Sequence, residues 1–517
     1  MSLRYRLRYS WSPFFSRFGT LLPVQLETIP KILDGSNVVI MSPTASGKTE
    51  AVIAPVAEKC VMEQWQGLSI LYIVPTRALA NDTFQRIQGP LLDMNLTTAI
   101  KHQDTPYLSY KNLPNLLITT PESLDSLICR HSQIFSTLKT VILDEIHLLD
   151  NTYRGDQLRL LLWRLQKLVN EGDLSIHLLS ATLAYPHQVA KRYVKNFEVI
   201  EIKGQRVIDY HLFSSLSAVF EWVRRERWKK VLCFCNLRDS VESVAHELAE
   251  LWHPYPVVVH HGSLHRRERE EAEKVMKDSN VAVCVSTSTL EIGIDIGDID
   301  LILLIEPPWS ISSMIQRIGR GNRRENVARV AAIFKSNEEK SLLETMFNFA
   351  ISGALDEAVY TPDRSVAIQQ IFSFLFQNPK GMPESIILDF LSTIYSKDEA
   401  KLIIGHLEKN GWIERIVGGW AASTKLMDLG EAGRIHSNIP DSQIYRVIDT
   451  NSGKEIGCIG GVFDDIFILA GRVWRVVSIE KGVIKVCRFH GKASAPLFRK
   501  NREQGAFYWL LPPELMT

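Results

Sequence analysis

Short apolar runs, separated by longer amphipathic stretches, recur from Val38 to Phe334 and constrain the fold more than any other feature. A short apolar run suits a strand that is buried on both faces, and the amphipathic stretches suit helices. Strands that alternate with helices build βαβ units and therefore a parallel sheet. The first series predicts strands at Val38–Met41, Ile70–Val74, Leu116–Thr119, Val141–Leu143 and Ile176–Leu179, with helices such as Thr49–Gln64 and Leu158–Val169 between them.

A second series of the same kind begins after Gly204. Helix-like stretches again separate the apolar runs, so the chain predicts two consecutive α/β domains, residues 1–203 and 204–360. The second series predicts strands at Val231–Phe234, Val257–His260, Val281–Val285, Leu301–Ile305 and Val330–Phe334.

The alternation of strands and helices ends near Thr361. Three helix-like segments follow, and then two short strands around a Gly-Gly turn. Three helices and a hairpin in one short region predict a winged helix at residues 361–428, a relative of the helix-turn-helix. Glycine-containing turns and short strands then predict a small β-rich domain at residues 429–517. The helical segments are Ser365–Leu375, Glu384–Thr393 and Lys397–Asn410.

The seven cysteines are scattered and form no C-x-x-C pair, which indicates a reducing compartment, and we expect a cytoplasmic protein without a disulfide framework. Cys233 and Cys235 lie two residues apart on one predicted strand, where packing is favoured over a metal pair. No apolar run approaches the length of a membrane span, so no membrane partner is expected. A net charge of +1 does not exclude a basic nucleic-acid groove.

The segment S-P-T-A-S-G-K-T, from Ser42 to Thr49, follows a predicted strand and opens a predicted helix. In that context small residues allow the backbone N–H groups and the helix N-terminus to surround phosphates. Lys48 is expected to reach the β- and γ-phosphates, and Thr49 to hold Mg²⁺. Ser42 stands where the usual pattern has its first glycine, and an ordinary strand-to-helix turn is the alternative. The predicted nucleotide-binding residues of the loop are Thr44, Ala45, Ser46, Gly47, Lys48, Thr49 and Glu50.

Asp144 and Glu145 interrupt the apolar run V-I-L-D-E-I-H-L-L-D at the carboxyl end of a predicted strand. Buried carboxylates are costly unless a cation or hydrogen bonds compensate them, and a doubly wound sheet binds its ligands at this edge. A magnesium-bound nucleotide supplies the cation. Asp144 would hold the metal and Glu145 would orient the attacking water. The alternative, a zinc site at Glu145 and His147, lacks both an H-E-x-x-H pattern and an adjacent third ligand.

With the motifs that accompany these acids, the chain resembles the superfamily-2 DEAD/DEAH-like helicases over both α/β domains. L-L-P-V-Q-L-E-T-I-P resembles the adenine-reading Q motif, with Gln25 as the reader. P-T-R-A-L-A, T-T-P-E-S-L and S-A-T resemble motifs of the first domain. F-C-N-L-R, H-H-G-S-L, S-T-S-T-L-E-I-G-I-D-I-G and Q-R-I-G-R-G-N-R resemble motifs of the second, in the order found in the family. The resemblance implies two tandem RecA-like parallel-sheet domains.

The resemblance also implies roles for individual residues. Arg320 and Arg323 would reach the γ-phosphate from the second domain, Asp295 would contact the ribose, and Gln316 and Arg317 would help to close the cleft. A surface salt bridge is the alternative for Arg317. Small hydroxyls and N–H groups in the other motifs suit phosphate contacts, which hold a strand without reading its bases. The implied nucleic-acid contacts are Thr76, Arg77, Thr120, Asn236, Arg238, Gly262, Thr287 and Thr289.

S-P-T-A-S-G-K-T-E-A, K-H-Q-D-T-P, D-E-I-H and T-L-E-I-G-I-D-I-G, with the order of domains, resemble the large helicase-related (Lhr) core group. Ala45 and Gly321-Asn322-Arg323 depart from that group's pattern. The resemblance implies a monomeric enzyme that uses ATP and Mg²⁺ and moves 3′ to 5′ on single-stranded DNA. It implies unwinding of forked DNA or of RNA–DNA hybrids in DNA repair or recombination. An RNA helicase and a non-catalytic nucleic-acid-binding scaffold are the alternatives.

Two further features, three tryptophans and a basic C-terminal segment, are compatible with nucleic-acid binding. Ordinary packing and solvation explain them equally well. Exposed tryptophans can stack on bases, and Trp309, Trp412 and Trp420 are candidates, although each could equally belong to a core. The segment from Gly471 to Gln504 carries nine basic residues against two acids and could form a basic face or a merely solvated surface.

Overall fold

The computed structural model describes residues 3–43, 46–170, 172–202, 207–291, 296–322, 327–355, 359–439, 445–460, 463–480, 482–491, 493, 495–496 and 505–516. The chain divides into two compact units. The first unit comprises residues 1–203, 358–441 and 502–517, and the second comprises residues 204–357 and 442–501. Among the described residues, no helix is both long enough and apolar enough to cross a bilayer.

After the resemblance to helicases, we name the α/β portions of the two units, residues 3–202 and 207–355, the first and second motor domains. The first is built on a parallel sheet of order β3-β4-β2-β5-β6-β1-β7. All five strands predicted in this region are present, and each bound is within one residue of its prediction. The edge strands β3 and β7 were not predicted, because they are partly exposed and lack a continuous apolar run. The strands are β1 (Val38–Met41), β2 (Ile70–Ile73), β3 (Thr98–Lys101), β4 (Leu116–Thr119), β5 (Thr140–Leu143), β6 (Ser175–Ser180) and β7 (Glu198–Glu201).

Helices cover the sheet, which is why four of its interior strands, β1, β2, β4 and β5, are buried at every position and β6 at all but its first. Helix α4 begins at Lys48, directly after the predicted phosphate loop. The helices are α1 (Leu3–Arg6), α2 (Trp11–Phe15), α3 (Pro23–Leu33), α4 (Lys48–Met62), α5 (Arg77–Asp93), α6 (Pro121–His131), α7 (Tyr153–Leu168) and α8 (Pro186–Lys191).

The second motor domain, within the second unit, has a parallel sheet of order β10-β11-β9-β12-β13-β8. Its strands are β8 (Val207–Phe213), β9 (Lys230–Phe234), β10 (Val257–His260), β11 (Ala282–Ser286), β12 (Leu301–Leu304) and β13 (Val327–Ile333). Its helices are α9 (Leu216–Glu226), α10 (Arg238–Leu251), α11 (Arg266–Asp278), α12 (Ile311–Ile318) and α13 (Asn337–Ser352). The two parallel sheets confirm the predicted fold class.

Cys233 and Cys235 lie in the core of the second motor domain, as expected for packing residues. Burial is the largest effect on both thiols, and it raises their pKa well above the ordinary value. A buried thiol that keeps its proton is a poor metal ligand, because the thiolate is the form that binds metals. We therefore assign both side chains to packing.

A helical module follows, and it belongs to the first unit. The three predicted helices are present, and an antiparallel sheet of order β14-β16-β15 accompanies them. Helix α14 is buried from Ser365 to Phe376, because it packs against α6 and α7 of the first motor domain and also against α17 and β16 of its own module. The elements are α14 (Ser365–Gln377), β14 (Met382–Pro383), α15 (Glu384–Leu391), α16 (Lys397–Lys409), β15 (Ile413–Ile416), β16 (Gly419–Ala422) and α17 (Thr424–Glu431).

A β module completes the second unit, with a five-stranded sheet of order β18-β17-β21-β20-β19. Neighbouring strands are antiparallel except for β17 and β21, which are parallel. Its strands are β17 (Tyr445–Asp449), β18 (Glu455–Ile459), β19 (Ile466–Leu469), β20 (Arg472–Glu480) and β21 (Val483–Arg488).

The predicted β-rich domain at residues 429–517 is too long at both ends. Helix α17 continues to Glu431, and residues 505–516 return to the helical module, where Phe507, Leu511 and Leu515 are buried in its core. Local pattern cannot reveal this return, because it depends on which core accepts three apolar side chains. Among the residues of this region that the structure describes, the β strands lie between residues 445 and 488.

Candidate nucleotide and nucleic-acid sites

The predicted phosphate loop connects β1 to α4 in the first unit. Gly47 adopts a left-handed φ of 83°, and a Cβ at this position would lie 2.5 Å from the Gln25 Nε2 atom. The Ser42 and Ser46 hydroxyls lie 2.6 Å apart and tie the two arms of the loop together. The Lys48 ammonium donates to the Ser42 and Pro43 carbonyls, at 2.6 and 3.1 Å. Lys48 is therefore buried at the loop, and its contact with the phosphates stays a prediction. Thr44 and Ala45 lie outside the described residues.

Gln25 of the Q-like motif lies beside this loop, and its role as the adenine reader stays a prediction. Its side-chain oxygen accepts from the Leu22 N–H at 2.9 Å, and its Nε2 donates to the Gly47 carbonyl at 3.4 Å. The structure thus joins α3 to the loop through one buried amide. Glu50, by contrast, directs its carboxylate to Arg86 at 3.3 Å, so its side chain ties α4 to α5.

Asp144 follows β5 and is almost fully buried. It accepts hydrogen bonds from the Tyr72 hydroxyl at 2.7 Å and from the Glu145 N–H at 2.9 Å. Burial raises the pKa of Asp144 well above its ordinary range, and the neighbouring Glu145 carboxylate adds to the increase. Lys48 and Tyr72 act in the opposite direction without cancelling it. The protein alone therefore does not provide enough positive charge around this carboxylate to compensate its burial, as expected for a residue that binds a cation.

Glu145 has a left-handed φ of 44°, which is uncommon for a residue with a side chain. Its Oε2 atom is buried and accepts no hydrogen bond, and the His147 Nδ1 atom lies 3.5 Å away. Backbone strain and an unsatisfied buried oxygen both concentrate at functional sites. The buried Asp144, this unsatisfied oxygen and the loop lysine together fit a magnesium-bound nucleotide, with Asp144 and Thr49 as the residues that would hold the metal.

Two further residues complete the surroundings of this site: Tyr72, which sequence reasoning missed, and Ser180, which belongs to the S-A-T motif. Tyr72 on β2 contacts Asp144, and the Thr49 hydroxyl lowers the pKa of the same tyrosine by hydrogen bonding, although burial raises that pKa overall. The Ser180 hydroxyl of the S-A-T segment pairs with His147 Nδ1 at 2.9 Å. A tyrosine in an otherwise aliphatic strand was the available signal for Tyr72.

The strand-gripping motifs of the first motor domain meet at the segment Lys101–Pro106. Arg77 donates to Asp104 at 2.7 Å and also to Gln103, and Thr119 donates to the Lys101 carbonyl at 2.9 Å. The predicted contacts Thr76 and Thr120 are the N-cap residues of α5 and α6, and the Thr76 hydroxyl accepts from the Leu79 N–H. The Thr76 hydroxyl therefore already has a structural role at a helix end, whereas the Thr120 hydroxyl makes no capping hydrogen bond and donates to the Ser123 hydroxyl at 3.4 Å.

In the second unit, the predicted contacts converge on the H-H-G-S-L segment. Arg238 donates to the Ser263 hydroxyl at 2.8 Å, and a Cβ on Gly262 would lie 3.9 Å from both Arg238 and Thr289. The Thr289 hydroxyl pairs with His260 Nδ1 at 2.9 Å.

Thr287 and Asn236 have different partners in this region. The Thr287 N–H donates to the His260 carbonyl at 3.3 Å, which keeps Thr287 with the cluster. Asn236 instead donates to the Pro307 carbonyl at 2.8 Å. Arg238, Gly262, Thr287 and Thr289 thus form one group beside His260, and Asn236 is held by the Glu306–Pro307 segment.

Arg317 and Arg320 share one partner, Glu291, which sequence reasoning missed. Arg317 donates to the Glu291 carboxylate at 2.6 Å, and Arg320 donates to the Glu291 carbonyl at 3.1 and 2.7 Å. Both guanidinium groups are buried, so the alternative of a surface salt bridge at Arg317 is wrong. Gln316 is also buried. Arg323 and Asp295 lie outside the described residues, and the γ-phosphate role of Arg320 stays a prediction.

The three tryptophans proposed for base stacking differ in exposure, and several basic residues of the Gly471–Gln504 segment already have partners within the protein. Trp420 is buried and Trp412 is partly buried beneath Lys425, whereas Trp309 is 77% exposed. In the basic segment, Arg472 pairs with Glu268 at 3.7 Å, and Arg475 and Arg488 lie over the Phe489 and Trp474 rings. Its Lys481, Lys492, Arg499, Lys500 and Arg502 lie outside the described residues.

Comparison with known proteins finds helicase domains in this part of the chain. The DEAD/DEAH box helicase model matches residues 22–189, and the helicase conserved C-terminal domain matches residues 212–325. The ATP-dependent helicase Lhr-Core of Methanocaldococcus jannaschii is 29% identical over 92% of this chain and 62% of its own length. The Lhr-Core protein 2 of Thermococcus barophilus is 32% identical over 60% of this chain and 41% of its own. The chain thus spans about three fifths or less of these relatives' lengths.

Solved structures share the fold. The Mycobacterium smegmatis helicase Lhr, bound to single-stranded DNA and AMP-PNP, aligns with a TM-score of 0.72 at 23% identity, covering 84% of this chain and 62% of its own. The helicase MrfA, bound to DNA and AMPPNP, aligns with a TM-score of 0.76 at 18% identity, covering 94% of this chain and 72% of its own.

Proposed function

Since the chain belongs to the superfamily-2 DEAD/DEAH-like helicases and resembles their Lhr core group, we propose that it is an ATP-dependent nucleic-acid helicase or translocase. We expect it to translocate 3′ to 5′ along single-stranded DNA. Its expected substrates for unwinding are forked DNA and RNA–DNA hybrids, in DNA repair or recombination. The observation that carries the proposal is the pair Asp144 and Glu145, with a buried, unsatisfied carboxylate oxygen beside the phosphate loop.

The chain's own residues divide the chemistry among themselves. Lys48, now on two loop carbonyls, would move its ammonium to the phosphates, and Thr49 and Asp144 would hold Mg²⁺. Glu145 would orient the attacking water through its Oε2 atom, and His147 would link that acid to Ser180. Bound Mg²⁺ and ATP supply the positive charge that Asp144 lacks and the phosphoanhydride bond that is broken. Arg320 and Arg323 would stabilise the negative charge on the γ-phosphoryl group in the transition state, which would raise the rate by a factor of about 10³–10⁵.

The domain assignment belongs to the same proposal. Residues 1–203 and 204–360 are assigned as the two motor domains and residues 361–428 as a winged helix. The winged-helix assignment is supported by α14, α15 and α16 followed by a β15–β16 hairpin. A winged helix packed on the first motor domain would brace the motor against a duplex. The expected solution state is a monomer.

The decisive experiment measures ATP hydrolysis with and without single strands. Wild type should be stimulated by single-stranded DNA, and Glu145→Gln should lower turnover by about 10²–10⁴-fold, because it removes the water-orienting carboxylate. Exposed Glu250→Gln is the matched control and should hydrolyse ATP at the wild-type rate. Wild-type turnover no better than that of Glu145→Gln would contradict the proposal and favour a scaffold.

Unwinding assays then test the finer claims. Forked substrates with a 3′ or a 5′ tail, in DNA and hybrid versions, should show unwinding only when the 3′ tail is present. Stimulation by single-stranded RNA of equal length should be weaker than by DNA, since the 2′-hydroxyl is the difference at the contacts. Stronger stimulation by RNA would instead identify an RNA helicase.

A further inference from the structure

The β module and the second motor domain share one hydrophobic core. Trp474, Phe467 and Ile484 of the β module belong to the same buried cluster as Val259 and Leu264 of the motor domain. A shared core cannot be separated without exposing apolar surface on both sides. The β module is therefore part of the second motor rather than an appendage on a linker.

Backbone pairing places this module against the H-H-G-S-L segment. Cys458 N–H donates to the Ser263 carbonyl at 2.7 Å, and His265 N–H donates to the Ile456 carbonyl at 2.9 Å. Gly457 pairs with Leu264, and a Cβ on Gly457 would lie 2.5 Å from the Ser263 oxygen. Strand β10, which leads into this segment, is at the edge of its own sheet. The β module therefore supplies a backbone partner to the segment that directly follows this edge strand.

A buried carboxylate reinforces the junction from inside. Glu242 on α10 is fully buried and accepts the Ala470 and Gly471 N–H groups, each at 2.7 Å. Both residues have positive φ, 57° and 68°, in the turn between β19 and β20. Successive N–H groups in such a turn converge and favour an anion. The same carboxylate accepts from His261 Nε2 at 2.9 Å.

Hydrogen bonds continue from Glu242 to the predicted strand contacts. With Nε2 donating to Glu242, His261 Nδ1 can accept the Ser263 N–H at 3.3 Å. The Ser263 hydroxyl accepts from Arg238 at 2.8 Å, and Arg238 lies next to Gly262. These contacts connect Glu242 to Arg238 without a break, and a shift of His261 is therefore expected to move Ser263 and weaken its contact with Arg238.

We infer that the β module positions residues 260–265 for gripping a nucleic-acid strand, and that Glu242 is the positioning residue through which it does so. The inference rests on the proposed function, since it concerns the same strand-binding site. Glu242 itself would not touch the nucleic acid. Its carboxylate fixes His261, and His261 fixes the loop on which Arg238 depends.

Binding of a fluorescein-labelled oligodeoxythymidylate to the full chain, measured by anisotropy without nucleotide, tests the inference. Glu242→Gln keeps the shape but turns one acceptor into a donor facing an N–H group. It should weaken affinity about tenfold, as expected when a buried hydrogen bond is lost. Exposed Glu250→Gln, on the same helix, is the control and should bind like wild type. Gly457→Ala disturbs the same junction from the side of the β module, because its Cβ would collide with the Ser263 carbonyl, and it should also weaken the affinity.

The salt dependence distinguishes positioning from loss of fold. If Arg238 loses its phosphate contact, the slope of log affinity against log salt should flatten by about 0.7. ATP hydrolysis without nucleic acid should stay near the wild-type rate in both variants. Wild-type affinity and slope in both folded variants would overturn the inference alone, whereas a wild-type chain that neither binds the oligonucleotide nor hydrolyses ATP would overturn the proposed function. A loss of affinity with an unchanged salt slope would mean that Glu242 has only a general structural role, and it would also overturn the inference.

Discussion

Each unit joins a motor domain to an accessory module around one buried carboxylate, but the two junctions use different chemistry. In the first unit, Asp125 on α6 forms a buried ion pair with Arg164 on α7 at 3.0 Å. Side-chain amides of the helical module add to it, because Gln369 and Gln370 donate to Asp125 at 2.7 and 3.0 Å. This junction is a network of side chains from both partners.

The second unit uses backbone instead. Glu242 receives two backbone N–H groups and one imidazole, and Gly457 allows the strand pairing because it has no Cβ. A backbone donor cannot be removed by substituting its own side chain, but its direction can be changed by the shape of the turn. The first junction should therefore be sensitive to charge and the second to shape.

The Asp125 region also resembles a metal site at first sight. Ligand atoms of Asp125, Cys129 and His436 lie within 4.8 Å of one another. Asp125, however, already accepts from Arg164 and several amides, and burial raises the pKa of Cys129 to about 11. A thiol that keeps its proton and a carboxylate with its lone pairs in use are poor ligands, so we assign the cluster to the junction.

The largest effect should come from breaking the ion pair. Asp125→Ala leaves the Arg164 charge buried without its carboxylate, which should lower the free energy of unfolding of the first unit by about 3–5 kcal/mol. Urea denaturation measures this change, with exposed Asp93→Ala as the control. The double variant Asp125→Ala/Arg164→Met should recover part of the loss. A loss below about 1 kcal/mol in the single variant would contradict a charge-dependent junction.

Changing shape at the second junction should have a smaller effect. Gly457→Ala forces a Cβ against the Ser263 carbonyl and should destabilise the second unit by about 1–3 kcal/mol. Gly405→Ala is a useful control, because nothing lies within 4 Å of the new Cβ inside α16. That control should stabilise by up to about 1 kcal/mol. Equal stability of Gly457→Ala and wild type would contradict the shape-dependent junction.

Charge sensitivity at the first junction should also appear as a pH dependence. Asp156 on α7 accepts the Tyr360 hydroxyl and the Asp363 N–H, and burial raises its pKa to about 6. Its unfolded value is near 3.9, so the folded state holds the extra proton and stability falls as pH rises through 6. Wild type should lose about 1.4 kcal/mol between pH 5 and pH 8 relative to Asp156→Asn. Parallel profiles for the two proteins in denaturation experiments would contradict this assignment.

The smallest effect is expected from chelation. If the Asp125 cluster is a junction, a chelator in the absence of nucleotide should leave the melting temperature of wild type unchanged. A lower melting temperature after chelation, restored by zinc, would show that the cluster holds a metal. The same measurement on Cys129→Ser would then locate the ion.

The nucleotide site was largely predictable because its residues follow strands in sequence. Lys48 and Asp144 each stand just beyond a buried apolar run, so sequence order alone brought them to one edge of the sheet. Tyr72 and Glu291 were not predictable in the same way. Each acts on a residue that is distant in sequence. Tyr72 does stand out in its aliphatic strand, but no local pattern identifies Asp144 as its partner, and Glu291 does not stand out in its own segment.

Sequence alone determined the two parallel sheets and the loop and acids at the first sheet's edge, because periodicity and strand ends are local properties. Only the tertiary structure decided that residues 505–516 return to the helical module and that the β module shares the second motor's core. It also decided the partners of Asp125 and Glu242. Burial and hydrogen bonding between distant segments depend on which surfaces meet, and no local pattern records that choice.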